Sequence, residues 1–299
     1  MKRSWLAVGI ILLFLGTCII PGIAQDTEKT LPTSRSNWLY VGGSGPGNYT
    51  RIQDAIDNAS DGDTVYVYDD SSPYNENVIV DKQISLIGED NETTNIIGIG
   101  AEDIILVNAN NVLIKGFSIN ANVWDEAGVN VKSSGCTVEN NIIGSCLIGI
   151  ALQPGDSAKI RNNIIRGNQK GIFIFKTKSS IISNNNIRAT DSYCIQMSYT
   201  GFGNTIMRNN LTNSLVGIEL WGAKYSIIKE NNFIENIADV GDNYYSFFVT
   251  WKNNYWGGSS KPELIWGAFV IPFPTITEIP YVRIDWHPAQ EPYDITGMT

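Results

Sequence analysis

From about residue 104 to residue 254 the chain is written in short runs of Ile, Val and Thr broken by Asn and Gly; Lys159-Ile-Arg-Asn-Asn-Ile-Ile-Arg-Gly-Asn-Gln-Lys-Gly-Ile-Phe-Ile-Phe is one such unit. Ile, Val and Thr favour extended backbone, whereas Asn and Gly tolerate the positive φ that a corner demands. Each unit therefore predicts a short strand, an Asn-marked corner, a second short strand and a Gly-led third strand. Asn pairs stand at Asn140-Asn141, Asn162-Asn163, Asn185-Asn186, Asn209-Asn210, Asn231-Asn232 and Asn253-Asn254, with successive spacings of 22, 23, 24, 22 and 22 residues. Gly149-Ile150, Gly171-Ile172, Cys194-Ile195 and Gly217-Ile218 keep step, seven or eight residues after each pair. Three strands in so short a period leave no room for a crossover helix, so each unit predicts one turn of a parallel β-helix. Leucine-rich repeats share the period and the asparagines, but these units lack the L-x-x-L-x-L spacing and hold two extra strand segments. Stacked Asn side chains are expected to hydrogen-bond along the inside of a corner.

The register extends backwards. Ile114-Lys-Gly-Phe-Ser-Ile119 aligns with Ile160-Arg-Asn-Asn-Ile-Ile165, with Gly116 at the first Asn position. An open solenoid end exposes core and strand edges, so both ends need covering. Near the start, Thr50 is placed to cap a helix from Arg51 to Ala59 whose Ile52, Ala55, Ile56 and Ala59 share a face; Asp61-Gly62-Asp63 ends it, and strand Thr64-Val-Tyr-Val-Tyr68 follows. At the far end Trp251, Tyr255, Trp256, Trp266, Phe269, Phe273, Tyr281 and Trp286 stand among Pro262, Pro272, Pro274 and Pro280, a composition expected to form an irregular covering segment. One domain is expected over 38–299, with a cap at 38–68, regular rungs at about 104–254 and the covering at 255–299.

Ahead of it, Lys2 and Arg3 precede an apolar run from Trp5 to Ile20 that closes on Pro21-Gly22-Ile23-Ala24. The run is shorter than the roughly 20 residues a span requires. Residues 1–24 are read as a secretory leader cleaved after Ala24, and 25–37 as a flexible lead-in. The expectation is a secreted or cell-surface protein with no membrane insertion after cleavage. Without Lys2 and Arg3, 19 basic side chains face 30 acidic ones, a formal charge of -11. That balance leaves nothing to follow a phosphate backbone and removes nucleic acid as a partner. Cys136, Cys146 and Cys194 are odd in number and show no CxxC spacing, so they read as small core hydrophobes. With four Met and the single His287, the chain offers no ligand cluster for copper, and no metal site is assigned. Asn48, Asn58, Asn91 and Asn210 open N-x-S/T sequons.

Trp38-Leu-Tyr-Val-Gly-Gly-Ser-Gly-Pro-Gly-Asn-Tyr-Thr-Arg-Ile-Gln-Asp-Ala-Ile, then Gly62-Asp-Thr-Val-Tyr-Val and Ile84-Ser-Leu-Ile-Gly, resemble the entry segment of secreted pectin-lyase-like right-handed β-helix proteins, and within them the NosD-type branch, common among archaeal surface proteins. The resemblance covers nearly the whole chain after the leader. It implies an all-β fold, a single-stranded right-handed parallel β-helix, and carbohydrate binding or processing as the usual occupation. Its motifs are capping and rung positions, none of them catalytic, and the copper delivery of the branch's namesake is not implied here.

With Ile150, Ile172, Ile195 and Ile218 inward, alternation turns Ala151, Phe173, Gln196 and Glu219 outward, and Gln153, Phe175, Ser198 and Trp221 two residues on. Phe173, Phe175, Gln196, Glu219 and Trp221 thus form the candidate ligand site, flat rings edged by polar groups, suited to sugar C–H faces and hydroxyls. The competing reading folds the C-terminal segment from Trp266 to Trp286 over these rings. Lys115, Glu139, Arg161, Arg208, Glu230 and Lys252 form a second expected column. It is read as mutually paired, with an alternative as bases for β-elimination, which would also require Ca²⁺ or another neutraliser of the uronate. Glycoside hydrolysis needs two carboxylates about 5 to 9.5 Å apart; of Asp125, Glu126, Asp156, Asp191, Glu219 and Glu235, the adjacent Asp125 and Glu126 are the candidate catalytic pair. The function expected is non-catalytic binding of a polysaccharide or cell-surface glycan, with a polysaccharide lyase or hydrolase and a purely structural module as alternatives.

Overall fold

The computed structural model describes residues 37–122, 126–189, 191–257, 263–271 and 277–295. The leader, nearly all of the lead-in and Asp125 lie outside them. The described chain winds as a right-handed parallel β-helix with three sheets of ten, nine and ten strands. The first sheet runs from Trp38–Val41 to Thr250–Lys252, the second from Tyr74–Asn75 to Tyr255–Trp256, and the third from Val78–Val80 to Glu263–Ile271 and Thr277–Asp285. Three-strand turns begin at Thr64, well before the Asn-marked units.

Register explains the core. In the first sheet Val65, Leu86, Ile114, Val138, Ile160, Ile182, Ile206 and Ile228 stack rung on rung and point inward. The third sheet stacks Ile105, Val129, Ile150, Ile172, Ile195 and Ile218 in the same way, all fully buried. Each such side chain contributes about 2 kcal/mol through removal from water, so the periodic aliphatics hold the coil together. Towards the last turns the inward positions become aromatic, and Phe233, Trp251 and Trp256 close the end, with Phe233 stacked on Trp256 at 4.4 Å and 9°.

Between the first and second sheets Asn141, Asn163, Asn185, Asn209, Asn231 and Asn254 are buried. Each donates Nδ2 to Oδ1 of the next at 2.9–3.1 Å. The residue before each of them, Asn140, Asn162, Asn184, Arg208, Glu230 and Asn253, adopts positive φ, and Gly116 does so one turn earlier. The visible Asn pairs therefore straddle two structural positions: the residue in the hydrogen-bonded file is the second Asn of three pairs and the first of the other three. Asp285, fully buried, ends the file, accepting from Asn254 Nδ2 at 3.0 Å, the Asn253 and Asn254 amides at 2.9 and 2.8 Å, and Trp256 Nε1 at 3.2 Å.

The capping helix is Ile52–Asn58, with Ile52, Ala55 and Ile56 buried as its apolar spacing requires. Thr50 does not cap it. Glu76, from the strand region that follows, accepts from the Ile52 and Gln53 amides at 2.8 and 3.1 Å, the acceptor charge favoured at a helix start. The C-terminal segment is more regular than its composition suggests: Glu263–Ile271 and Thr277–Asp285 pair antiparallel over their full length, with Pro280 on the edge strand, where a missing N–H is tolerated.

Candidate functional site

The outer face of the third sheet carries one continuous column: Ile79, Leu106, Asn130, Ala151, Phe173, Gln196 and Glu219. Two residues on, Phe175, Ser198, Trp221 and Tyr244 form a second. Successive rungs lie about 4.8 Å apart, which brings rings of neighbouring turns into contact beside those that neighbour along one strand. Phe173 stacks on Phe175 at 6.0 Å and 17°, Phe175 meets Tyr199 edge-on at 6.2 Å, and Trp221 meets Tyr244 and Tyr245 at 5.3 and 6.0 Å. Trp221 Nε1 donates to the Tyr199 hydroxyl at 3.0 Å, which fixes the indole. Phe173, Phe175 and Trp221 are half-buried and Tyr199 is 60% exposed.

The paired strands Glu263–Ile271 and Thr277–Asp285 extend the third sheet at its end, beyond Ala238–Tyr244, and Trp266 and Trp286 are exposed. Gln196 and Glu219 are engaged with neighbours: Gln196 Nε2 donates to Glu219, Lys170 Nζ donates to Gln196 Oε1 at 2.8 Å, and Glu219 is buried. Lys170 also lies over the Phe173 and Tyr193 rings at 5.2 and 5.9 Å. This polar file braces the platform from beside it.

Tyr199, Tyr244 and Tyr245 were not among the expected residues. Lys176, Tyr199, Gly222 and Tyr245 recur 23 residues apart with positive φ, just past the strand ends where alternation no longer assigns a face. Phe202, Tyr225 and Phe248 share that spacing and stack around the next corner, 4.9 and 4.7 Å apart. A separate cluster, Trp38, Tyr40, Tyr66 and Tyr68, lies on the first sheet at the opposite end of the coil.

The charged column resolves into two. Lys115, Glu139 and Arg161 share a register with Lys229 and Lys252, whereas Arg208 and Glu230 sit one residue on, in the left-handed corner. Glu139 is paired with Arg161 at 2.6 Å and Lys115 at 3.6 Å, and Arg208 with Glu230 at 2.8 Å. Arg208 holds the Glu230 carboxyl below its ordinary range, chiefly by that hydrogen bond. Arg161 and Arg208 are thus engaged by carboxylates.

Of the expected acids, Glu126 lines a cleft of about 300 Å³ with Asn77, Ile79, Glu102, Asp103 and Leu106, at the early end of the same face. Asp191 and Glu235 share a shallow groove with Arg188 on the second-to-third sheet corner, and Asp156 pairs with Lys178 at 3.5 Å. Two further acids line a cleft of about 270 Å³ with Trp256 and Trp266: Asp239 and Glu263, both raised above the ordinary carboxylate range, in each case first by burial. Of the sequons, Asn210 is fully buried and accepts from Asn232, while Asn58 is exposed.

Fold and face together define a parallel β-helix with an aromatic platform on its third sheet. The chain belongs to the NosD family, whose model, described as periplasmic copper-binding protein (NosD), matches residues 56–268. It is 30% identical over 141 residues to a cell surface glycoprotein of Methanothermus fervidus, covering 46% of this chain and about a fifth (21%) of that protein. In fold it is similar to the catalytic unit of a GH87 alpha-1,3-glucanase from Streptomyces thermodiastaticus (TM-score 0.54, 15% identity, 74% of this chain and 51% of that one). It is also similar to ORF18 of Geobacillus virus E2 (TM-score 0.53, 14% identity, 76% and 59%). The residues do not fit a copper centre. Cys136, Cys146 and Cys194 are buried at separate turns of the core, Met197 is buried with them, His287 is exposed, and among the described residues no three of His, Cys, Asp and Glu stand together to hold an ion.

Proposed function

We propose that this chain is an extracellular or cell-surface β-helix that binds carbohydrate on the outer face of its third sheet, without catalysis. The observation that carries this reading is the ring platform of Phe173, Phe175, Tyr199, Trp221, Tyr244 and Tyr245, in mutual contact on the outer face of the third sheet and at its strand ends. Pyranose rings present C–H faces that stack on such surfaces, and a platform repeating at rung spacing suits an extended chain. The cell surface relative supports the location.

The test is retention of the full chain by a panel of neutral and acidic polysaccharides, with Trp221→Ala and Phe175→Ala beside it. Retention should fall at least about tenfold in both, the scale of losing a buried aromatic anchor, with circular dichroism unchanged. Loss on Trp38→Ala instead would move the site to the first sheet, and retention of no polysaccharide would leave a structural module. A hydrolase is the second reading, favoured by Asp103 and Glu126 sharing one cleft. Release of reducing ends from the same panel, silenced by Glu126→Gln, would establish it; release of unsaturated uronates would point to a lyase.

A further inference from the structure

We infer that the cleft bounded by Asn77, Asp103 and Glu126 binds a single non-anionic sugar residue, a subsite distinct from the aromatic platform. The inference rests on reading the third sheet's outer face as a carbohydrate surface and adds to it a second location and a chemical preference.

Three buried polar atoms meet no partner in this region: Asn77 Nδ2, Asp103 Oδ1 and Asn130 Oδ1. The other end of each group is engaged. Asn77 Oδ1 accepts from the Ile99 amide at 2.7 Å, and Asn130 Nδ2 donates to Asp103 Oδ2 at 2.8 Å. Asn130 is only 5% exposed and stands on the outer column between Leu106, which lines the cleft, and Ala151. One half of each side chain thus fixes its orientation, while the other half is desolvated and unmatched. Buried polar atoms ordinarily find a partner, so Asn77 Nδ2 and Asp103 Oδ1, both on residues that line the cleft, mark a place where a ligand supplies it.

The inventory states what the ligand must offer. At the cleft itself one donor, Asn77 Nδ2, and one acceptor, Asp103 Oδ1, over a floor of Ile79 and Leu106, call for hydroxyl groups, which donate and accept, on a ring with an apolar face. Glu102, Asp103 and Glu126 line the cleft and none of its lining residues is basic, so a uronate would meet only like charge. Ala151, fully buried, separates this cleft from Phe173 along the column, which makes the two recesses separate sites.

Saturation-transfer NMR on the full chain, titrated with glucose, galactose, mannose, glucuronate and galacturonate, tests the inference. At least one neutral sugar should bind, with the matching uronate weaker by about tenfold or more, since a site built on hydrogen bonds and charge rejects a mismatch strongly. Asp103→Ala and Asn77→Ala should each weaken the neutral sugar by about tenfold, and Glu126→Gln should narrow the gap to the uronate. Lys159→Ala, on the exposed face of the first sheet, should leave monosaccharide binding unchanged. Equal binding of uronates, binding of none of the five sugars, or two folded cleft variants with undiminished affinity would each overturn the inference. Polysaccharide retention insensitive to Trp221, with monosaccharide binding still lost in Asp103→Ala, would fail the platform and leave the cleft standing.

Discussion

The same two residue types meet in two places with opposite results. Inside the coil, Asn254 donates to Asp285, and the remaining acceptor capacity of that carboxylate is taken by two backbone amides and an indole. On the outer face, Asn130 donates to Asp103, and one oxygen of each is left buried without a partner. A saturated amide–carboxylate pair is a structural device; an unsaturated one is a receptor. The difference lies in what surrounds the pair, not in its chemistry, and identical side chains therefore carry different meanings along one sequence.

Mutation should separate the two most sharply at Asp285. Asp285→Ala strips the acceptor from four buried donors and is expected to cost about 3 kcal/mol or more, read as a shift of the urea midpoint, with sugar binding per folded molecule unchanged. Asn185→Ala, in the middle of the file, removes one rung of it and should cost about 2 kcal/mol by the same measurement. Asp103→Ala should move stability by less than about 1 kcal/mol in either direction, because it removes one unmatched polar atom along with a matched one, while sugar affinity drops. A large destabilisation there would erase the contrast and make the Asn130–Asp103 pair structural.

Asn236 and Asp239 form a third, intermediate case. Asn236 Nδ2 donates to Asp239 Oδ1 at 3.2 Å, yet burial still raises the Asp239 carboxyl. An acid raised in the folded state binds more protons folded than unfolded, so it costs nothing below its unfolded pKa, and stability falls as pH rises towards and through the folded pKa. Glu263, raised by burial and by Asp239 and Asp285, acts in the same direction. Glu230 acts oppositely: its lowered carboxyl adds stability above the ordinary carboxylate range that disappears as pH falls through its folded pKa. Asp239→Asn should therefore flatten the decline on the neutral side, and Glu230→Gln the decline on the acid side, both visible as small changes in Tm between about pH 4 and 7.

The coil was legible because its corners require rare backbone. Positive φ favours Asn and Gly, which take the corner at Gly116, Asn140, Asn162, Asn184 and Asn253, while Arg208 and Glu230 take it in the other two turns. The exact corner position was less so, since Asn184, Asn185 and Asn186 offer two registers and only the pairing chooses between them. Alternation placed Phe173, Phe175 and Trp221 on one face, because strand period alone decides it. Thr50 misled because Glu76, 24 residues from Ile52, supplies the cap from across the fold. The cleft had no signature for a related reason: Asp103 and Asn130 are 27 residues apart, on turns earlier than the Asn file, and their importance lies in bonds they do not make.

The asparagine file also has a direction. Every Nδ2 points the same way, from Asn141 towards Asp285, so the amide dipoles add head to tail and the last carboxylate meets their positive end. A carboxylate accepts but has no proton to hand on. The file is therefore a chain reaction with its terminator built in: a further rung, from this chain or another copy, would find no donor at Asp285 to continue it, and the length of the solenoid is written into the chemistry of its final residue.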